Sequence, residues 1–197
     1  MIPLRLTLEN FMCYRQGLPT LNLENVHVAC LSGDNGNGKT ALLDSITWVL
    51  WGKARARTQE ELIHQGQNSM SVELDFLAND QEYRVTRVHS RSRGSGSGKT
   101  ELNLAVLNEN QPTSIMGNTI RDTEQQIINL LHMDYDTFVS TSYLRQGDAD
   151  RFTKSNPADR KQILADVLSL DYYQKLETAA KEKAKDCLLY TSPSPRD

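Results

Sequence analysis

Residues Gly33 to Thr40 read GDNGNGKT, a complete G-x-x-x-x-G-K-[ST] string, and the flanks of that string decide the fold. Ahead of it the apolar run Val26-His27-Val28-Ala29-Cys30-Leu31 reads as a buried strand. Behind it, Ala41 to Trp51 reads as a helix with Leu42, Leu43, Ile46, Val49 and Leu50 at helical spacing. Strand, glycine loop and helix in that order are the elements of an α/β P-loop fold that binds a nucleoside triphosphate, and the loop alone does not say whether the chain hydrolyses what it binds. The glycines let the backbone curl so that successive N–H groups point at one phosphate, and the helix N-terminus adds its partial positive charge there. Lys39 is placed to reach the β- and γ-phosphates, and Thr40 to put its hydroxyl on Mg²⁺. A Gly/Asn turn that merely precedes a helix would not need both flanks.

The rest of the composition is that of an ordinary globular chain. Its 197 residues suffice for one good core, alone or with an extension. No segment approaches the ~18 consecutive apolar residues of a membrane span, and the N-terminus lacks a basic-then-apolar signal. A cytoplasmic location with no membrane partner is the expectation. The net charge of −3 leaves no global nucleic-acid footprint, so any DNA contact must come from a local patch. Cys13, Cys30 and Cys187 form no metal-ligand or disulfide pattern, and reduced thiols are expected. The last residues, CLLYTSPSPRD from Cys187 to Asp197, resemble the translation of a sequencing adapter and read as a scar; the alternative is a natural Ser/Pro tail. Under the scar reading the chain is a gene fragment, and motifs absent from it are absent by truncation.

Along the chain, Ile2, Leu4, Leu6 and Leu8 alternate as a half-buried first strand, and Leu18 to Leu23 supplies a second. Ser71–Leu77 and Glu82–Val88 read as a hairpin turned at Asn79-Asp80, with Val72, Leu74, Phe76, Tyr83 and Val85 inward. Glu101–Leu107 is a further strand. Thr119–Leu131 is an amphipathic helix through Ile120, Ile127, Ile128, Leu130 and Leu131, and a short segment, Thr137–Leu144, leads to Arg145-Gln146-Gly147-Asp148. From Pro157, with Asn156 as N-cap, a helix begins whose apolar stripe thins toward Ala184, as in a helix leaving a globular body.

Other candidates are weaker. GSGSGKT, Gly94 to Thr100, lacks the first glycine, because Arg93 stands there, and it precedes a strand where a helix is required; it reads as a hairpin loop. Arg84, Arg87, Arg91, Arg93 and Lys99 form one basic run, and Lys53, Arg55 and Arg57 another; each is either a solvated face or a contact for DNA phosphates. His27 falls in the buried strand, while His89 and His132 look peripheral, and no histidine has a metal partner at ligand spacing. No apolar strand ending in Asp-Glu follows the loop, so the carboxylates that would hold Mg²⁺ through water and activate the attacking water are missing. Val72–Asp75 is a poor candidate because it alternates and runs into Phe76.

ENF at Glu9–Phe11, GDNGNGKT, LLDSITWVLWG at Leu42–Gly52, ELIHQG at Glu61–Gly66 and YLRQGDADRF at Tyr143–Phe152 together resemble the N-terminal half of SbcC-type, SMC-like ATPases, the large subunit of a DNA double-strand-break repair nuclease complex. The likeness runs from Met1 to about Asp186. It implies an ABC-type head split across the chain: an N-terminal lobe at 1–155, the root of a coiled coil at 156–186, and the scar at 187–197. The signature motif and acidic residues would then lie in a C-terminal lobe, and a zinc hook in the intervening coiled coil. By resemblance, Asn35, Gly36, Asn37, Gly38, Lys39, Thr40 and Ala41 hold the ATP phosphates, and Thr40 and Gln146 take Mg²⁺. Gln146 also touches the attacking water, and Ile63, His64 and Gln65 lie near the base. Met12 stands where the family often has a basic residue, and that role is not carried over. The implied partners are a second head, an SbcD-type nuclease subunit and DNA in the nucleoid. A chromosome-organising SMC-like tether without a nuclease is the alternative, and a stand-alone P-loop kinase is disfavoured for want of its carboxylate.

Overall fold

A computed structural model of the protein describes residues 1–92, 98–108, 111–141, 156–167, 170 and 176–185. The chain divides into two units, Met1–Tyr135 and Asp136–Asp197. The first is built on a six-stranded sheet in the order β2-β1-β3-β4-β5-β6, with every neighbouring pair antiparallel. The strands are β1 (Ile2–Glu9), β2 (Leu21–Asn22), β3 (Ser69–Ala78), β4 (Gln81–Ser90), β5 (Lys99–Leu107) and β6 (Pro112–Ser114). Register places Leu6 opposite Leu74, Leu74 opposite Val85 and Val85 opposite Leu104, one apolar row across four strands. The β3–β4 turn has two residues, Asn79 and Asp80, with φ of 50° and 60°. Two positive φ values are what a hairpin needs if its turn is to follow the right-handed strand twist.

Two helices meet the inner face: α1 (Lys39–Trp51) against β3 and β4, and α2 (Ile120–Leu131) against β5. The C-terminal half of α1 is enclosed on most sides, with Trp48, Val49 and Leu50 fully buried and Trp51 nearly so. The helical stripe expected from spacing is thus displaced, since Leu43 is exposed and Leu42 and Ile46 are only half-buried. Thr119 caps α2, accepting from Asp122 N–H, while Asp122 accepts from Thr119 N–H. In the second unit, α3 (Tyr135–Thr141) begins at the boundary. There α4 (Pro157–Val167) starts on Asn156, whose Oδ1 accepts from Asp159 N–H at 2.9 Å. A helical stretch at 176–185 carries a Glu177–Lys181 pair.

The strand expected at Val26–Leu31 is not formed. After β2 the chain turns at Asn25 and runs without strand structure to the glycine loop, leaving Val28 91% exposed and His27 on the surface. The physical reason is pairing: an apolar run of that kind is stable only between neighbours in a covered sheet. Among the described residues it has no partner strand. The second expected strand shrinks to Leu21–Asn22. The first strand, the hairpin, the Glu101–Leu107 strand and both long helices form as expected.

On the outer face Asp75, 1% exposed, accepts from Arg5 Nε at 2.9 Å and from Arg84 Nε and Nη2 at 2.6 and 2.8 Å. Burial alone would raise its pKa, but the hydrogen bonds and charges of Arg84 and Arg5 outweigh burial and hold it below the usual carboxylate range. A carboxyl with a depressed folded-state pKa stabilises the fold above its unfolded pKa and loses that contribution as pH falls through the folded value. Chemical-denaturant titrations between about pH 5 and pH 2 should therefore show stability falling more steeply with acid in the wild type than in Asp75→Asn. Equal slopes would refute the assignment.

Candidate functional site

The first turn of α1 is set by Gly38, its N-cap, whose φ of 86° is left-handed. A β-carbon there would also collide with Cys13 Sγ and lie 3.3 Å from the Tyr14 hydroxyl, so glycine is required twice over. Gly36 is likewise left-handed, at 91°, and Asn37 N–H closes a turn on Asp34 O. No side chain caps α1, and its first turn holds no acidic residue. Its leading N–H groups therefore stay available for an anion. Lys39 Nζ lies back over the loop, donating to Gly33 O at 2.6 Å and Asp34 O at 2.7 Å. Thr40, half-buried, is the next residue of the helix. The stretch Gly33–Asn37 is exposed, so a phosphate has open access to it.

A collar from distant sequence supports the loop. At the end of β1, Phe11 forms an isolated bridge with Ile63. Met12 N–H donates to Leu62 O at 2.6 Å and His64 N–H to Asn10 O at 2.8 Å. Imidazole Nδ1 of His64 sits 2.7 Å from Met12 O. From this collar Tyr14 reaches the loop, its hydroxyl donating to Gly38 O at 3.2 Å. Burial, with the neighbouring Cys13 sulfur, pushes the Tyr14 pKa up, so the hydroxyl keeps its proton and remains a donor. The ENF, GDNGNGKT and ELIHQG segments are thus joined through Asn10–Tyr14. Ile63 is buried in the core, His64 is half-buried and engaged with Met12, and Gln65 is exposed. Gln146 lies outside the described residues.

Sequence reasoning missed the ties behind the loop. Asp44, buried on α1, pairs with Arg55 Nε at 2.7 Å, and Gln59 bridges Trp48 Nε1 and Gly52 O. The only signal for the first was a charge inside an apolar helix. Of the basic runs, Arg84 is held by Asp75 and Glu73, Arg91 donates to Glu60 O, Lys99 pairs with Glu101, and Lys53 lies over the Tyr135 ring. Arg87 is buried, which removes it from any phosphate-contacting surface. Arg93 lies outside the described residues. His89, expected at the periphery, is buried because the strand alternation puts it on the inner face across from Met70. In the second glycine string, Lys99 and Thr100 already belong to β5, as a hairpin reading requires. No group of residues able to hold a metal ion by itself occurs among the described residues, and no helix there is long and apolar enough to cross a membrane.

Residues 5–189 match the family described as an AAA domain. The chain is 32% identical over 190 residues to the SbcC component of the SbcCD nuclease of Deinococcus radiodurans, covering 94% of this chain and 20% of that protein. It is 30% identical over 154 residues to a DNA double-strand break repair Rad50 ATPase of Thermoplasma volcanium, covering 78% and 16%. Among solved structures, that of the recombination mediator protein RecF with ATP superposes with a TM-score of 0.46 and 14% identity, covering 96% of this chain and 45% of that one. The chain spans about a fifth of the length of the curated relatives it matches.

Proposed function

The chain belongs to the AAA domain family of P-loop ATPases, with SbcC and Rad50 proteins as relatives over most of its length, and on that premise we propose that it binds MgATP at Asn35–Ala41 as one half of a composite hydrolytic site. The observation that carries this reading is the uncapped start of α1 with Lys39 folded over the same loop. Lys39 needs only to swing from the carbonyls of Gly33 and Asp34 to meet the β- and γ-phosphates. The loop N–H groups and the dipole of α1 take the remaining negative charge. The Thr40 hydroxyl, at the first turn and beside Lys39, is of the right chemistry and place to hold Mg²⁺, with Gln146 as the second oxygen donor. The metal would supply charge neutralisation on the transferred phosphate. Ile63–Gln65, tied to the loop through Asn10–Tyr14, is the side on which the base is proposed to lie.

The buried carboxylates of the described residues are committed elsewhere. Asp44 is paired with Arg55, and Asp75 with two arginines on the sheet face away from α1. Neither is free to act as the base that hydrolysis needs. We therefore assign that base, and the strand neighbours of Val26–Leu31, to a complementary lobe, with catalysis completed by a second head. The division into an ATPase lobe at 1–155, a coiled-coil root at 156–186 and an adapter scar at 187–197 belongs to the same reading. In the whole protein, ATP-driven engagement of heads would gate access of an SbcD-type nuclease to DNA in the nucleoid, with zinc confined to a hook in the coiled coil. The purified chain should bind a fluorescent ATP analogue saturably and only with Mg²⁺, while turning over ATP no faster than Lys39→Ala. Steady-state turnover that Lys39→Ala abolishes would overturn the composite site; absence of binding at millimolar nucleotide would overturn the site altogether.

A further inference from the structure

We propose that Arg87 is a positioning residue for the phosphate loop: a guanidinium on β4 that grips the far end of α1 and so fixes where that helix presents the loop. The inference rests on the ATP reading above.

Strand alternation places Arg87 on the inner face, across from Val72 and Leu102, where an apolar side chain would be ordinary. It is 3% exposed. Its Nε donates to Val49 O at 3.1 Å, Nη2 reaches Leu50 O at 3.5 Å, and Nη2 also donates to Glu124 Oε1 of α2 at 2.9 Å. Its Cζ lies 6.0 Å from the Trp48 ring centroid. Those carbonyls belong to the last turn of α1, which has no basic residue of its own. Gly52 follows with φ 67°, and a β-carbon there would lie 2.8 Å from Arg87 Nη1. The chain thus leaves room at the helix end for the guanidinium.

A buried charge is costly, and an apolar side chain would fill the slot without that cost. What a guanidinium does there, and an apolar chain or a lysine does not, is hold α1 and α2 together through a planar fork of fixed geometry. The 13 residues of α1 make a rod about 20 Å long. At that distance direct attraction between Arg87 and a phosphate is small, and the Glu124 carboxylate 2.9 Å from the guanidinium screens it further. Orientation is not screened: a tilt of about 5° at the gripped end moves the other end by about 1.7 Å, more than a bound phosphate tolerates.

The test is carried out on the whole chain with Arg87→Lys and Glu124→Gln. Binding of a fluorescent ATP analogue with Mg²⁺ is one readout, and amide hydrogen exchange without nucleotide the other. Folded Arg87→Lys should bind about tenfold more weakly, the equivalent of one charge-assisted hydrogen bond, and Glu124→Gln about threefold. Amides of Leu42–Trp48 should exchange faster while those of β3 and β4 do not, a pattern that a general loss of stability would not produce. Should Arg87→Lys fail to fold, Glu124→Gln carries both readouts. Wild-type exchange in α1, or faster exchange with unchanged nucleotide affinity, would overturn the proposal. If wild type binds no better than Lys39→Ala, the ATP reading fails by itself, and the exchange arm still decides whether Arg87 seats α1.

Discussion

Lys39→Ala is expected to weaken binding of MgATP about a hundredfold, with no measurable change in stability. An ammonium bridging two phosphate groups gives up two charge-assisted hydrogen bonds on truncation, each worth about 1.5 kcal/mol or more, and about 3 kcal/mol is a factor of roughly a hundred. Stability is spared because the two carbonyls that hold Nζ, Gly33 O and Asp34 O, sit in an exposed loop where water replaces the donor. Surface changes of that kind stay within about 0.5 kcal/mol. Calorimetric titration with MgATP and a urea unfolding curve on the same sample decide it. Equal affinity in mutant and wild type would remove the lysine from the site, and a large loss of stability would make the effect one of folding.

The largest effect on stability is expected at Phe11. Its side chain is 0% exposed, its ring centroid lies 5.5 Å from that of Trp48, and its backbone bridges Ile63. Phe11→Ala opens a cavity between β1, α1 and the 60–64 segment, and truncations of this type cost about 3–5 kcal/mol. A domain of ordinary stability has about 5–15 kcal/mol to lose, so the variant should unfold at far lower urea. Phe11→Leu, which keeps much of the volume, should lose distinctly less. Because the residues after Phe11 carry Cys13 and Tyr14 to Gly38, Phe11→Ala that remains folded should also bind nucleotide more weakly than Phe11→Leu. A loss below about 1 kcal/mol would mean that the collar relaxes freely and does not brace the loop.

These two residues differ in how they can be recognised. The backbone around Lys39 was legible because a glycine loop running into a helix has a fixed local order: glycines where φ must be positive, then lysine and a hydroxyl in the first helical turn. The structure places left-handed glycines at 36 and 38 and starts α1 at Lys39, as that order requires. The hairpin was legible for a similar reason, since alternation and an Asn-Asp turn are properties of neighbouring residues. Phe11 carried no such signal: ENF was part of a family likeness, and nothing near it says that it will lie on Trp48 and pair with Ile63. Arg87 and His89 were misjudged because composition suggests surface, whereas β4 alternation puts both on the inner face. The Val26–Leu31 run shows the opposite failure, in which local apolarity asks for a strand and the sheet supplies no neighbour.

By itself, then, the sequence determined the class of the protein and the backbone form of Gly33–Thr40, left-handed glycines running into a helix, because conformation there depends on residues adjacent in the chain. Only the tertiary structure decided which charges are committed, Asp75 to Arg5 and Arg84, Asp44 to Arg55, Arg87 to α1 and Glu124, and what braces the loop from Asn10–Tyr14. Those contacts join residues as far apart as 70 positions. Burial and pairing at such separations are fixed by sheet register and helix packing, which no local run of residues encodes.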